Sequence, residues 1–171
     1  MKFLKLMPIL FLLLGIHPYR NIVQAEVKNP KDYKVLSTTN KKLSVANVEY
    51  YLKQGDKSLK NGAFEKAKDS YESARKLATR LASYYSDLNT AFIGVDARIP
   101  NEMQKKGRES LQILAKSNSR LAAVYIRNKK PEVAVPLLVE TIRIMSPDSR
   151  EGKEAYELLL QLGFVETSYR D

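Results

Sequence analysis

Residues 64–93 read FEKAKDSYESARKLATRLASYYSDLNTAFI, and this stretch decides the fold. Phe64, Ala67, Tyr71, Ala74, Ala78, Leu81, Tyr85 and Leu88 step 3-4-3-4-3-4-3, which places them on one face of an α-helix. No Gly or Pro interrupts the pattern. The spacing predicts a single helix of about 27 residues, roughly 40 Å long at the α-helical rise. Its seam mixes Ala with Tyr and Leu, so a partner helix can approach closely and interlock. Splitting the stretch into two helices would need a turn near Thr79 to Ala82, and no helix breaker stands there.

The flanking sequence extends the same architecture. Upstream, Ser44 is suited to an N-cap, with Asn47 at the third position. Val45, Val48, Leu52, Gly55 and Leu59 form the apolar stripe of that helix, and Asn61-Gly62 ends it. Downstream, residues 94–100 (Gly94 to Pro100) form a loop. Asn101 is the expected cap of the next helix, with Gln104 placed to reach back. Met103, Gly107, Leu111, Leu114, Asn118, Leu121 and Tyr125 mark that helix's buried face, and Asn128-Lys129-Lys130 stops it. Pro131 suits the first turn of a fourth helix, whose apolar side is Val133, Ala134, Leu137, Leu138, Ile142 and Met145. Pro136 lies deeper and should kink that helix or delay its regular start. Ser146-Pro147-Asp148 separates it from a last helix carrying Ala155, Leu158, Leu159 and Leu162, closed by Gly163 with Phe164 folding back. No strand signal of any length occurs. The expectation is an all-α domain over 45–165, with about five helices as antiparallel hairpins and the last as a C-terminal cap. A tail covers 166–171.

Composition narrows the chemistry. The 171 residues include no Cys, no Trp and one His, His17. That His falls within residues 1–25, which read as a secretory signal: Lys2 and Lys5 precede an 11-residue apolar run, Leu6 to Ile16, and Val23-Gln24-Ala25 offers a cleavage site after Ala25. Spanning a bilayer takes roughly 20 apolar residues, so a retained anchor is the less natural alternative. With no Cys there is no site for lipoprotein acylation. Export to a periplasm or a thylakoid lumen is the expectation. A cleaved chain would hold neither His nor Cys, which excludes Ser-His and Cys-His catalysis, thiol redox chemistry and imidazole or thiolate metal sites. Removing the leader takes three bases and no acid from the 29 bases and 19 acids, leaving a net charge of +7 on 146 residues. Residues 26–44 form a polar N-terminal arm with no period, either a flexible spacer or a strand-like arm docked through Tyr33, Val35 and Leu36.

Two helix pairs share internal spacing. Gly55 precedes Ala67 by twelve residues, with Tyr71 and Ala74 four and seven further on; Ala122 precedes Ala134 by twelve, with Leu138 and Thr141 at the same offsets. Over residues 45–162 the chain resembles a tetratricopeptide-repeat protein (TPR-like). The resemblance is carried in the first unit by Tyr51, Gly55, Gly62, Phe64, Ala67, Tyr71 and Ala74. Gln54 and Ser58 depart from it, as do Asn118 and Pro131 in the second unit. With its leader, the chain is similar in style to small exported repeat proteins of cyanobacteria. The resemblance implies a non-enzymatic protein-binding or scaffold module outside the cytoplasm, in assembly or maintenance of a membrane or envelope complex.

Candidate partner-binding residues are those off the buried stripes. They are Tyr50, Lys53, Lys57 and Lys60 on the first helix, and Arg120, Tyr125 and Arg127 on the third. Together they describe a basic groove for an acidic segment or, more simply, a solvated lysine-rich face. Tyr50-Tyr51 and Tyr84-Tyr85 point about 100° apart on a helix, which leaves Tyr50 and Tyr84 as marginal anchors. Asp96 and Arg98 read either as a partner motif or, more simply, as a local ion pair ordering the loop. Residues 104–108 (Gln104-Lys105-Lys106-Gly107-Arg108) form a basic cluster that suits an anionic membrane or cell-wall surface better than nucleic acid, since no aromatic stacking platform accompanies it. Glu65, Asp69 and Glu72 alternate with Lys66, Lys68, Arg75 and Lys76, the pattern of an ion-paired solvent face. No catalytic constellation, cofactor motif or small-molecule substrate site is legible. The resemblance implies a protein partner. The alternative is an anionic envelope polymer or lipid surface bound by the basic face.

Overall fold

The computed structural model describes residues 42–169. The expected leader (1–25), most of the arm (26–41) and the last two residues lie outside that range. Five helices follow in order: α1 Val45–Lys60, α2 Phe64–Phe92, α3 Arg98–Arg127, α4 Pro131–Met145 and α5 Arg150–Gln161. Among the described residues there is no strand, and no helix is long and apolar enough to cross a membrane. The chain is all-α, built of antiparallel hairpins, and α2 runs unbroken for 29 residues.

The first hairpin closes on a size match. Val48, Leu52 and Gly55 of α1 are buried against α2, whose Ala67, Tyr71, Ala74, Leu77, Ala78 and Leu81 are buried in turn. A Cβ added to Gly55 would overlap Cδ1 and Cε1 of Tyr71, so only glycine lets the ring lie across α1. Three helices end alike. The Gly62, Lys129 and Gly163 amides bond back to Leu59, Ile126 and Leu160, and the next amides, Ala63, Lys130 and Phe164, reach Ser58, Tyr125 and Leu159. This double bond needs a left-handed residue in the middle. Gly62 and Gly163 take it freely, but Lys129 holds φ 56° with a side chain.

The third helix is the axis of the domain, touching each of the other four. Of the six residues from Ile113 to Asn118, only Lys116 is exposed. Burial on several sides explains why the single stripe read from the sequence undercounts its core. Ser117 sits there because its hydroxyl donates to the Ile113 carbonyl, leaving no bare polar atom.

The helices are unequal in length. At 1.5 Å per residue, α1 is roughly 24 Å long and α2 roughly 44 Å. No α2 residue past Leu81 is buried. The end of α2, the loop and the first turns of α3 therefore form a two-helix extension beyond the body, with Met103 and Pro100 its buried residues.

Several expectations are corrected. Helix α3 begins at Arg98, not after Asn101: Asn101 donates its amide to the Ala97 carbonyl as an interior residue. Pro100 is tolerated because the first turn of a helix has no internal acceptor for its missing N–H. Helix α4 starts at Pro131 despite Pro136. Ser149 caps α5, accepting the Gly152 amide at 2.9 Å. Phe64, Leu88 and Val133 were assigned to buried seams, yet 37–44% of each is exposed, since each lies where no further helix covers it. The backbone at Phe164 folds back as expected, but its ring is exposed.

Two substitutions test this account. Gly55→Ala should destabilise the domain by about 2 kcal/mol through overpacking against Tyr71, read as a lower urea midpoint with unchanged slope. Lys129→Gly should stabilise it by up to about 1 kcal/mol by relieving the left-handed backbone, read in the same experiment.

Candidate functional site

Two polar networks fix the helices around the open surfaces. In the first, Tyr71 Oη on α2 donates to Asp56 Oδ1 on α1 at 2.7 Å. Arg120 on α3 donates Nε to the same oxygen at 2.8 Å and Nη2 to Oδ2 at 3.1 Å. One carboxylate thus holds three helices. Burial pushes the Asp56 carboxyl upward, but the hydrogen bonds from Arg120 and Tyr71 outweigh it and hold its pKa below the usual value. The Tyr71 hydroxyl is raised well above its ordinary value by burial and by the Asp56 carboxylate that accepts its proton.

In the second network, Arg75 on α2 donates Nε to Asn118 Oδ1 at 2.9 Å and Nη2 to Glu140 Oε2, on α4, at 2.6 Å. Asn118 Nδ2 donates to that same glutamate oxygen at 3.2 Å. Asn118 is fully buried, and the network is why an amide is tolerated there. Nearby, Tyr125 Oη donates to Glu72 Oε1 at 2.9 Å. Arg75 and Glu72 thus reach across helices, which corrects the reading of that row as a purely intrahelical ion-paired face. Glu65 and Lys68 do pair along α2, at 2.5 Å.

These bonds frame a groove of about 650 Å³ between α2, α3 and α4. Its floor is Leu121 and Leu137, with Val133, Pro136 and Tyr125 along the sides. Lys76, Arg80 and Glu72 stand on its rim, with Glu72 held by Tyr125. A second groove of about 670 Å³ lies between α1, α3 and α5. It carries Glu49, Glu109, Glu151 and Glu154 against Lys116, Arg120 and Arg150. Arg150 is engaged by Glu151 at 3.1 Å and Glu154 at 3.8 Å, and Arg120 by Asp56. The surface between the first helices of the two pairs is therefore mixed in charge, and the expected basic groove is corrected accordingly. A smaller cleft of about 220 Å³ lies between α2 and α3 in the extension, bordered by Tyr85, Asn89, Met103 and Gly107. Asn89 Oδ1 is the one buried side-chain oxygen among the described residues with no hydrogen-bond partner.

The structure does not bring the expected binding residues together. Tyr50, Lys53, Lys57 and Lys60 are exposed on the outer face of α1, and none lines either of the two large grooves. Tyr50 rests edge-on against Tyr51, with ring centroids 5.8 Å apart. Tyr84 is exposed on the extension, within 3.5 Å of Arg80 Nη2. Arg120 is committed to Asp56, so its place in a partner-binding set is corrected to that of an interhelical tie. Arg127 is exposed in the last turn of α3. Asp96 and Arg98 form the local pair: the carboxylate accepts Arg98 Nη2 at 2.6 Å, Nε at 3.0 Å and the Arg98 amide at 2.9 Å. Sequence reading missed the α2–α3–α4 groove, although Pro136 and Val133 were visible in the sequence. The groove exists because α4 packs against α3 at an offset from α2.

Comparison with protein-family models, with curated proteins and with solved structures gives no match. Among the described residues no three His, Cys, Asp or Glu side chains converge as a metal site.

The Asp56 network carries a pH signature. Its folded pKa lies below the ordinary 3.8, so its contribution is complete above that value and fades as pH falls through the folded pKa. Asp56→Asn keeps an acceptor for Arg120 and Tyr71 but removes the charge. At neutral pH the variant should be less stable by about 1 kcal/mol. In urea titrations across pH, that gap should narrow below the ordinary carboxylate range, as pH falls through the lowered folded pKa of Asp56.

Proposed function

We propose that this chain is a TPR-like, non-enzymatic protein-binding or scaffold module that acts outside the cytoplasm, in assembly or maintenance of a membrane or envelope complex. The observation that supports this best is the α2–α3–α4 groove. Its apolar floor sits under a basic rim, and Arg75, Asn118 and Glu140 hold its walls in place before any partner arrives. Preformed grooves of this kind favour an apolar-anchored segment, because little ordering entropy remains to be lost on binding. Lys76 and Arg80 on the rim favour a segment with acidic residues beside its anchors. The leader-like residues 1–25 support the location and the hairpin spacing supports the repeat class.

A photocrosslinking residue in place of Val133, in the native host, should capture one stoichiometric protein, whereas the same residue in place of Lys57 should not. With the crosslinker kept at position 133, Lys76→Glu combined with Arg80→Glu should abolish that capture without lowering the urea midpoint. Capture that persists in the double variant would refute the groove as the seat. N-terminal sequencing of the recovered chain should begin at Glu26, and an intact Met1 would refute export with cleavage.

A further inference from the structure

The two-helix extension ends in the most exposed apolar residues of the described chain. Ile93 is 65% exposed and Val95 75% exposed, and both stand in the loop that turns α2 into α3. Gly94 between them takes φ 80°, the left-handed conformation that tightens the turn. Neither side chain lines a groove described above. An exposed aliphatic pair at the end of a two-helix extension is a surface that an apolar phase can receive.

The charge behind the tip is ordered. Arg98, Asn101, Lys105 and Arg108 step 3-4-3 along the start of α3 and share one outward face, about 15 Å long. All four are exposed, and the Arg98 side chain is 90% so. The acids around them are mostly spent. Asp96 is held by Arg98, and Glu102 is held by Lys106 at 2.6 Å. Asp87 is on α2, and Glu109 lies at the margin of the face. Lys105 and Arg108 therefore act beyond the local pairs, on a chain that keeps a net charge of +7 once residues 1–25 are removed.

We propose that the tip of the α2–α3 hairpin is a membrane-docking device. Ile93 and Val95 enter the headgroup–acyl boundary of an anionic bilayer, while Lys105 and Arg108 meet lipid phosphates. Apolar insertion and electrostatic attraction together give reversible interfacial binding with no spanning helix. The inference rests on the tip alone and stands apart from the α2–α3–α4 groove. In combination, the chain would present its groove to a protein partner at a membrane surface.

The absence of Trp makes the test specific. Ile93→Trp in the full chain places a single indole at the tip. With vesicles of mixed phosphatidylglycerol and phosphatidylcholine, its emission should shift to the blue and become protected from an aqueous quencher. Pure phosphatidylcholine vesicles should give a much smaller shift. Lys57→Trp, on the outer face of α1, should show no shift with either. In co-sedimentation, Ile93→Ser with Val95→Ser should weaken partition onto the anionic vesicles about tenfold or more. Lys105→Gln with Arg108→Gln should weaken it about tenfold or more, with the loss erased at high salt. All these side chains are exposed, so helicity should be unchanged. Co-sedimentation without a blue shift at position 93 would overturn the proposal and place membrane binding on another part of the chain. Absence of vesicle binding would overturn it as well. If Ile93→Ser with Val95→Ser instead turned a dimer into a monomer by light scattering, the tip would be an interface between copies.

Discussion

The domain depends on one close approach, the crossing of α1 over α2 at Gly55. Because Gly55 has no side chain, the Tyr71 ring lies across α1 and its hydroxyl reaches Asp56 one residue on. The same carboxylate then takes the guanidinium of Arg120 on α3. A missing methyl group therefore sets the spacing of the first two helices, and a single anion ties the third to them. The polar bonds are affordable at that depth because each is charge-assisted and each donor has a partner.

From that corner the structure propagates by burial. Helix α3 is enclosed by four neighbours, and the Arg75–Asn118–Glu140 network repeats the logic of the first corner on the opposite side, with α4 in place of α1. Each network brings one long polar side chain of α2 or α3 to a carboxylate on an outer helix. Partly buried charge that is paired and hydrogen-bonded fixes register, whereas apolar stripes alone would tolerate sliding. A fixed register gives the α2–α3–α4 groove a definite shape.

The inequality of the helices divides the molecule into a body and an arm. The body has third and fourth layers to cover its stripes, while the arm has two helices and an exposed tip. The body carries the grooves, and the arm carries an apolar tip backed by basic residues. Neither feature requires chemistry from the chain's titratable groups. Asp56, the carboxylate most engaged across helices, is held ionised by partners that serve the fold.

The sequence by itself determined the class, the five helices and their order, because helical periodicity and caps are local properties. The 3-4 stepping of Phe64 to Leu88, the Ser44 cap, Pro131 at the start of α4 and Gly163 after α5 are each set within a few residues. The Asp96–Arg98 pair was legible for the same reason. What lay between helices far apart in sequence was not. Arg120 reads as a surface base until Asp56, 64 residues away, is brought within 2.8 Å of it. Arg75 reads as part of an intrahelical charge row until Glu140, 65 residues on, arrives from α4. Val133 and Leu88 read as core until the lengths of the neighbouring helices leave them uncovered. Only the tertiary structure decided which charges are ties and which apolar residues face solvent, because both depend on what packs opposite, and spacing along one helix does not encode that.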